Sequence, residues 1–258
     1  MSLNGKIALV TGAQRGIGQG IAIELAKAGA DIVAADLNID DLAATKEAVE
    51  RLGRKCLCLP VDVKQKDQVT AMVAQAAKDM KRIDIAVNNS GVITINPVIE
   101  LTEQEWDHVN DVNIKGVFLC CQAQLGPMMK QQHGRIINVA SIAGKIGFPQ
   151  LAHYSATKFA VIGFTNALAK EVAQQGITVN AICPGIVGTG MWRGDEGLSG
   201  RWKEEGETEA ESWERHQKTL LPQGEAQTSG DMGQLAVYLA GAEHVTGQAI
   251  AVDGGFSL

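Results

Sequence analysis

The chain has few aromatic residues, no run of lysine and arginine, and no apolar stretch reaching the ~18 residues of a membrane span. Each shortage excludes something. With aromatics at only 4% against a hydrophobic fraction of 45%, the core must be filled by Ala, Val, Ile and Leu, which suits buried parallel strands. Because positive charge is nowhere clustered and the formal net charge is -6, a nucleic-acid partner is not expected. Residues 1–6 lead straight into a strand pattern without the basic and apolar blocks of a signal peptide. A soluble, cytoplasmic protein without a membrane partner is therefore expected.

Cysteine is scarce too. Cys56, Cys58, Cys120, Cys121 and Cys183 are an odd count with no Cys-x-x-Cys, which fits reduced and mostly buried thiols. The histidines, His108, His133, His153, His216 and His244, never fall at the spacing of a zinc-binding helix, so no metal is expected.

What the chain does have is alternation. Segments 6–11, 31–36, 55–61, 83–88, 135–140, 178–182 and 249–252 read as strands, and 16–28, 40–52, 65–81, 103–129 and 154–174 read as helices. Parallel neighbours need crossover connections, usually helical, so this order predicts a doubly wound parallel α/β sheet in three α/β/α layers. At 258 residues an α/β chain still fits one domain, expected to span 1–258. Ligands in such a sheet gather at the carboxyl ends of the strands.

Segment 188–225 breaks the rhythm. It carries Trp192, Trp202 and Trp213, and nine acidic residues against five basic ones, most of the chain's net charge. Long irregular connections in compact domains are commonly lids or binding loops, so a substrate lid is expected here. The tryptophan spacing, close to three helical turns, predicts one face of a short helical pair carrying all three.

Near the start, Thr11-Gly12-Ala13-Gln14-Arg15-Gly16-Ile17-Gly18 follows a strand and opens a helix. Glycines let the backbone approach a pyrophosphate, while the helix start directs N–H groups and a positive dipole end at that anion. Asp36, closing the second strand with Leu37 after it, stands where a carboxylate meets the adenosine ribose hydroxyls. Its charge would repel a 2'-phosphate by ~1 to 4 kcal/mol, favouring NAD over NADP. Arg15 pulls the other way, since a basic side chain in the turn can pair with that phosphate. Asp36 abuts the ribose and weighs more. Asp62-Val63 and Asn88-Asn89-Ser90-Gly91 place further polar groups at successive strand ends.

Tyr154 is one of only two tyrosines, and Lys158 follows it at i+4 on the same helical face. A phenol with an ordinary pKa near 10 is a poor base at neutral pH. An ammonium at ~4 Å and an effective dielectric of ~20 is worth ~4 kcal/mol, roughly three pK units, and is expected to make the phenol usable. Ser141 can hold the substrate oxygen while Tyr154 moves the proton. Asn113, a polar amide inside a predicted helix, is expected to hold a water linking Lys158 to solvent.

These motifs resemble the short-chain dehydrogenase/reductase family over essentially the whole chain, ending with Pro184-Gly185 and Asp253-Gly254-Gly255. The resemblance implies a Rossmann-type fold, a catalytic tetrad of Asn113, Ser141, Tyr154 and Lys158, and a homotetramer. It also implies that Tyr154 and Lys158 face the nicotinamide side, with Lys158 on the ribose, and that Pro184, Gly185, Val187 and Thr189 pass beside the carboxamide. Ser90 stands where the family usually has alanine.

The stretch 183–192 is similar to members acting on acetoin, butanediol and sugar alcohols. A small polar pocket bordered by Gln150, His153 and Trp192 is expected, with Gln150 free to bond a second hydroxyl. The reading is an NAD(P)-dependent oxidoreductase interconverting a secondary alcohol (polyol, sugar alcohol or vicinal diol) and a ketone. The competitor is a 3-oxoacyl carrier-protein reductase using NADPH, disfavoured by Asp36 and the acidic segment. A non-catalytic dinucleotide sensor is disfavoured because all four catalytic positions are filled.

Overall fold

The computed structural model describes residues 2–258. Seven strands, β1 (Ile7–Thr11), β2 (Asp31–Asp36), β3 (Cys56–Pro60), β4 (Ile85–Asn88), β5 (Gly134–Val139), β6 (Ile177–Pro184) and β7 (Ala249–Val252), form one sheet in the order β3-β2-β1-β4-β5-β6-β7. All neighbours are parallel. The direction of winding reverses between β1 and β4, which opens a crevice above their carboxyl ends.

Strand residues alternate between two apolar layers, as the pleat requires. Ile7 and Leu9 join the core under α3 (Lys66–Met80), α5 (Gly116–Gln131) and α6 (Ala152–Val172). Ala8 and Val10 join the opposite core under α1 (Gly16–Lys27), α2 (Ala43–Arg51) and α9 (Ser229–Gly241). The expected three-layer Rossmann-type sandwich is what forms.

Three differences from the expectation have physical causes. The predicted helix 103–129 is interrupted: α4 (Glu103–Asn110) passes through a π turn at Asp111–Lys115 before α5. The extra residue of that turn swings Asn113 inward to full burial. Helix α9 lacked a clear pattern because glycines interrupt it, yet those glycines are what let it pack. A Cβ on Gly233 would stand 2.5 Å from Glu24 Cγ, and one on Gly20 2.5 Å from Ser229 Cβ, so α1 and α9 meet almost backbone to backbone. The expected short helical pair within 188–225 forms as α7 (Leu198–Arg201) and α8 (Glu209–Leu220). Thr208 and Glu211 start α8 by capping each other's ends. Finally, the three tryptophans do not share one helical pair's face; they converge from a loop, the end of α7 and the middle of α8.

A buried amide network braces the sheet beneath the site. Asn88 on β4 donates to Asn138 on β5 at 2.9 Å, Gln124 on α5 donates to Asn88 at 2.8 Å, and Asn138 donates to Thr165 on α6 at 3.0 Å. Buried amides are tolerable only when bonded in this way, and here they fix the two strands that lead to Asn89 and Ser141. All five cysteines are free, with Cys120, Cys121 and Cys183 buried and Cys56 and Cys58 half-buried. No helix among the described residues is long and apolar enough to cross a membrane, and no group of three metal-ligating side chains occurs among them.

Candidate active site

A cleft of about 920 Å³ runs across the carboxyl ends of the strands, from Asp36 and Asp62 at one end to Trp192 and Trp202 at the other. Of the residues expected at the dinucleotide, Gly12, Gln14, Arg15, Gly16, Ile17, Asp36, Leu37, Asp62 and Val63 line it, as do Asn89, Ser90, Gly91, Tyr154, Lys158, Pro184, Gly185, Val187 and Thr189. Gly18 does not. A Cβ there would lie 2.0 Å from the Gly12 carbonyl oxygen, so this glycine permits the turn to close on its own helix.

The turn after β1 is held by its neighbour across the crevice. Asn89 Nδ2 donates to the carbonyls of Thr11 and Gly12, each at 3.0 Å, and the Thr11 hydroxyl accepts from the Asn89 amide N–H at 3.1 Å. Gly12 and Gly16 adopt φ of +64° and +58°, and a Cβ on Gly12 would press to 2.8 Å from Asn89 Nδ2. No side chain caps α1, so its leading N–H groups remain for a ligand. Asp36 accepts from the backbone N–H of Gln14 at 2.9 Å and of Leu37 at 2.8 Å, which fixes its carboxylate at the cleft rim. Arg15 is exposed, and its guanidinium has no hydrogen-bond partner among the described residues. Asp62 accepts from the Lys64 backbone N–H at 3.0 Å.

At the centre, Tyr154 and Lys158 share the inner face of α6, with Lys158 Nζ 5.5 Å from the phenol ring centroid. Lys158 donates to the Val139 carbonyl at 3.0 Å, which ties α6 to the end of β5. Ser141, just beyond β5, accepts from the Ala143 N–H at 3.1 Å and lies close enough to the phenol to pull its pKa down. The expected acidification of the phenol is not what this arrangement gives. Burial pushes Tyr154 up to about 12, against a smaller downward pull from Ser141, while burial brings Lys158 down to about 8. Burial is the larger cause for both groups, leaving the phenol a proton donor and the ammonium more readily deprotonated than an exposed lysine.

Asn113 stands beside this group and does not line the cleft. Its amide accepts from the Val92 N–H and donates to the Val92 carbonyl, both at 2.9 Å, and also donates to Thr157 at 3.2 Å. It therefore clamps the strand-end segment after β4 against α6.

The far end of the cleft is aromatic. Trp192 meets Trp202, Trp213 and His216 with ring centroids 5.9, 6.2 and 5.9 Å apart. Gln150, held at φ +64°, accepts a long hydrogen bond of 3.4 Å from Trp202 Nε1. His153, expected at the pocket border, is instead fully buried below it, with Nε2 2.7 Å from the Thr94 hydroxyl. As the second residue of α6 it precedes Tyr154 by one position, and the helix turns it away from the cleft into the protein. The ring-bearing residues Phe148, Trp202, His216 and Phe256 are among the cleft residues that sequence reasoning missed. For His216 a signal existed: it follows Trp213 by one helical turn, on the same face.

The fold and this cleft define a dinucleotide-binding oxidoreductase. Residues 6–196 match the family model for short chain dehydrogenase. An L-2,3-butanediol dehydrogenase of Corynebacterium glutamicum is 40% identical over 261 residues, covering 97% of this chain and 98% of the relative. A 3-oxoacyl-acyl-carrier-protein reductase of Staphylococcus aureus is 37% identical over 253 residues, 97% of each. An NAD+-bound xylitol dehydrogenase superposes with a TM-score of 0.91 at 29% identity, covering 99% of this chain and 100% of that one. The chain belongs to the short-chain dehydrogenase family and is an NAD(P)-dependent oxidoreductase acting on CH–OH groups.

Proposed function

We propose that the protein interconverts a neutral polyol, sugar alcohol or vicinal diol and its ketone with NAD(H), using Ser141, Tyr154, Lys158 and Asn113. The observation that carries the reading is the convergence of Tyr154, Lys158 and Ser141 on one cleft that also holds a glycine cradle and a fixed Asp36 carboxylate. The cradle fits a dinucleotide: Gly12 and Gly16 leave space, and the uncapped start of α1 offers its N–H groups to a pyrophosphate. Asp36 would take the adenosine ribose hydroxyls, Asp62 and Val63 would border the adenine, and Asn89 to Gly91 with Pro184 to Thr189 would flank the nicotinamide half. A bound nicotinamide supplies or accepts the hydride.

The residues handle the proton. Ser141 orients the reacting oxygen, and Tyr154, protonated in its buried setting, gives its proton to that oxygen as a ketone is reduced. In the oxidative direction the same phenol must first be deprotonated and then takes the alcohol proton. Lys158 lies next to the ring to stabilise that form, and Asn113 positions the segment that closes over both. The chain acts as one domain, with 188–225 as a lid ordering over substrate, and assembles as a homotetramer.

Similarity to a 3-oxoacyl carrier-protein reductase supports a second reading with NADPH. Absorbance at 340 nm decides between them. Turnover of diols or polyols with NAD+ is expected; efficient reduction of an acetoacetyl thioester with NADPH and none of the former would select the second reading. Tight cofactor binding without turnover of either would indicate a sensor.

A further inference from the structure

His216 is buried to 6% exposure on α8, yet its ring lines the cleft. Its Nδ1 lies 2.7 Å from the Ser212 carbonyl oxygen, an atom that can only accept. The Ser212 hydroxyl, 3.2 Å from the same nitrogen, can turn its proton elsewhere whereas the closer carbonyl cannot, so Nδ1 carries the proton and in the neutral ring Nε2 presents a bare lone pair. Among the described residues Nε2 has no partner. The ring is nine-tenths buried but this acceptor opens on the cavity, and it can take a donor from whatever occupies that cavity.

Its neighbours narrow the choice of donor. Trp192 and Trp202 stand with ring centroids 5.9 Å from the imidazole, forming walls that suit the C–H faces of a carbon chain. Gln150 uses its carbonyl on Trp202, leaving its amide N–H groups as donors at the same end. The two nearby guanidinium groups are already spent. Arg215 holds Glu207 through two contacts of 2.8 Å, and Arg193 holds Glu209 at 2.9 and 3.2 Å. An anionic substrate end would find no free cation here. An acceptor, an amide donor and two indole faces without net charge match a hydroxylated carbon chain.

Trp202 sets the separation. It packs on the hydrophobic cluster that contains Tyr154 and on the one that contains Trp192, and its ring stands 5.9 Å from the imidazole, so it lies between the phenol's surroundings and His216. We infer that His216 is a specificity-determining residue whose Nε2 accepts a hydrogen bond from a hydroxyl several carbons away from the carbon that is oxidised. The substrate is then an open-chain polyol longer than a four-carbon diol. This rests on the proposed alcohol–ketone reaction and adds to it the far contact.

The test is the ratio of kcat/KM for pentitols and hexitols to that for butane-2,3-diol, measured with NAD+ on wild type, His216→Phe and His216→Gln. Phenylalanine keeps the ring but removes the acceptor, while the glutamine carbonyl can stand near Nε2. The ratio is expected to fall about 10- to 100-fold in His216→Phe and to recover substantially in His216→Gln. A purely structural role would lower both substrates alike and leave the ratio unmoved, which overturns the inference. NADH binding and Tm confirm that each variant is folded. Wild type that oxidises the diol but none of the longer polyols overturns the inference while leaving the reaction intact. No oxidation of any alcohol overturns both. A preference for hydroxy acids over polyols overturns it in favour of an imidazolium that pairs with carboxylate.

Discussion

The two ends of the cleft are built by different means. At the dinucleotide end, the backbone turn after β1 is stapled by Asn89 from the end of β4 and by Asp36 from the end of β2, and is shaped by glycine, with side chains serving mainly to fix the main chain. At the substrate end, side chains do the shaping: a cluster of indoles and an imidazole on a segment held together by ion pairs. The arginines hold Glu207 and Glu209 down at about 2, so those pairs stay ionised throughout the neutral range. A main-chain cradle tolerates little change and announces the reaction class. A side-chain box can be rebuilt residue by residue, so it carries the choice of substrate.

The sharpest break between the two ends should come at their junction. Tyr154→Phe is expected to lower kcat by ~10²- to 10⁴-fold while NADH binding, followed by fluorescence titration, stays within about two-fold. Substantial residual turnover would show that another group moves the proton. Within the dinucleotide end, Asp36→Ala removes the fixed carboxylate while Arg15 remains available. The NADP+/NAD+ ratio of catalytic efficiency should then rise ~10- to 100-fold. An unchanged ratio would place the ribose elsewhere.

The buried pair gives a pH signature. Lys158, lowered in the folded state from 10.5 to about 8, binds fewer protons than in the unfolded chain between those values. Its burial therefore costs stability below about pH 8, and the cost is relieved as pH rises from about 8 towards 10.5. Lys158→Met should raise the unfolding free energy of the cofactor-free protein at pH 7 by ~1 to 3 kcal/mol, an advantage that shrinks over that window. A pH-independent difference in denaturant midpoints would contradict it. Tyr154 acts with opposite sign: raised to about 12, it adds stability that is present below pH 10 and lost between 10 and about 12. Alcohol oxidation, which needs the deprotonated phenol, should accordingly climb with pH while ketone reduction does not.

The smallest expected effect concerns the substrate end. Limited proteolysis within 188–225 should slow severalfold when NADH and a polyol are both bound. Equal cleavage with and without ligands would remove the lid.

Most of the sheet was legible because strand and helix periods alternate cleanly, and the glycine turn, Asp36, Ser141, Tyr154 and Lys158 lie at strand ends and a helix entrance that those periods locate. Helix α9 was not, since the glycines that allow its contact with α1 erase the helical pattern. Neither was the π turn, because one extra residue inside a continuous helix leaves no trace in apolar spacing. His153 and His216 show the same limit from opposite sides. Both are single histidines on helices, and only the rotation of each helix against its neighbours decides which one meets the cleft. The protonation of Tyr154 depends on how much water reaches the phenol, and spacing alone says nothing about that.

The contact between Gly20 and Ser229 has a mechanical meaning. Ser229 begins the helix into which the substrate segment feeds, and Gly20 belongs to the helix that rises from the phosphate cradle. Thr189, at the start of that same segment, leaves only 3.3 Å for a Cβ on Gly16. The segment is thus pinned to the cradle's helix at both of its ends. Any movement of the segment over substrate would reach the cradle's helix through these contacts, and by thermodynamic reciprocity whatever it changed in cofactor affinity the cofactor would change in substrate affinity.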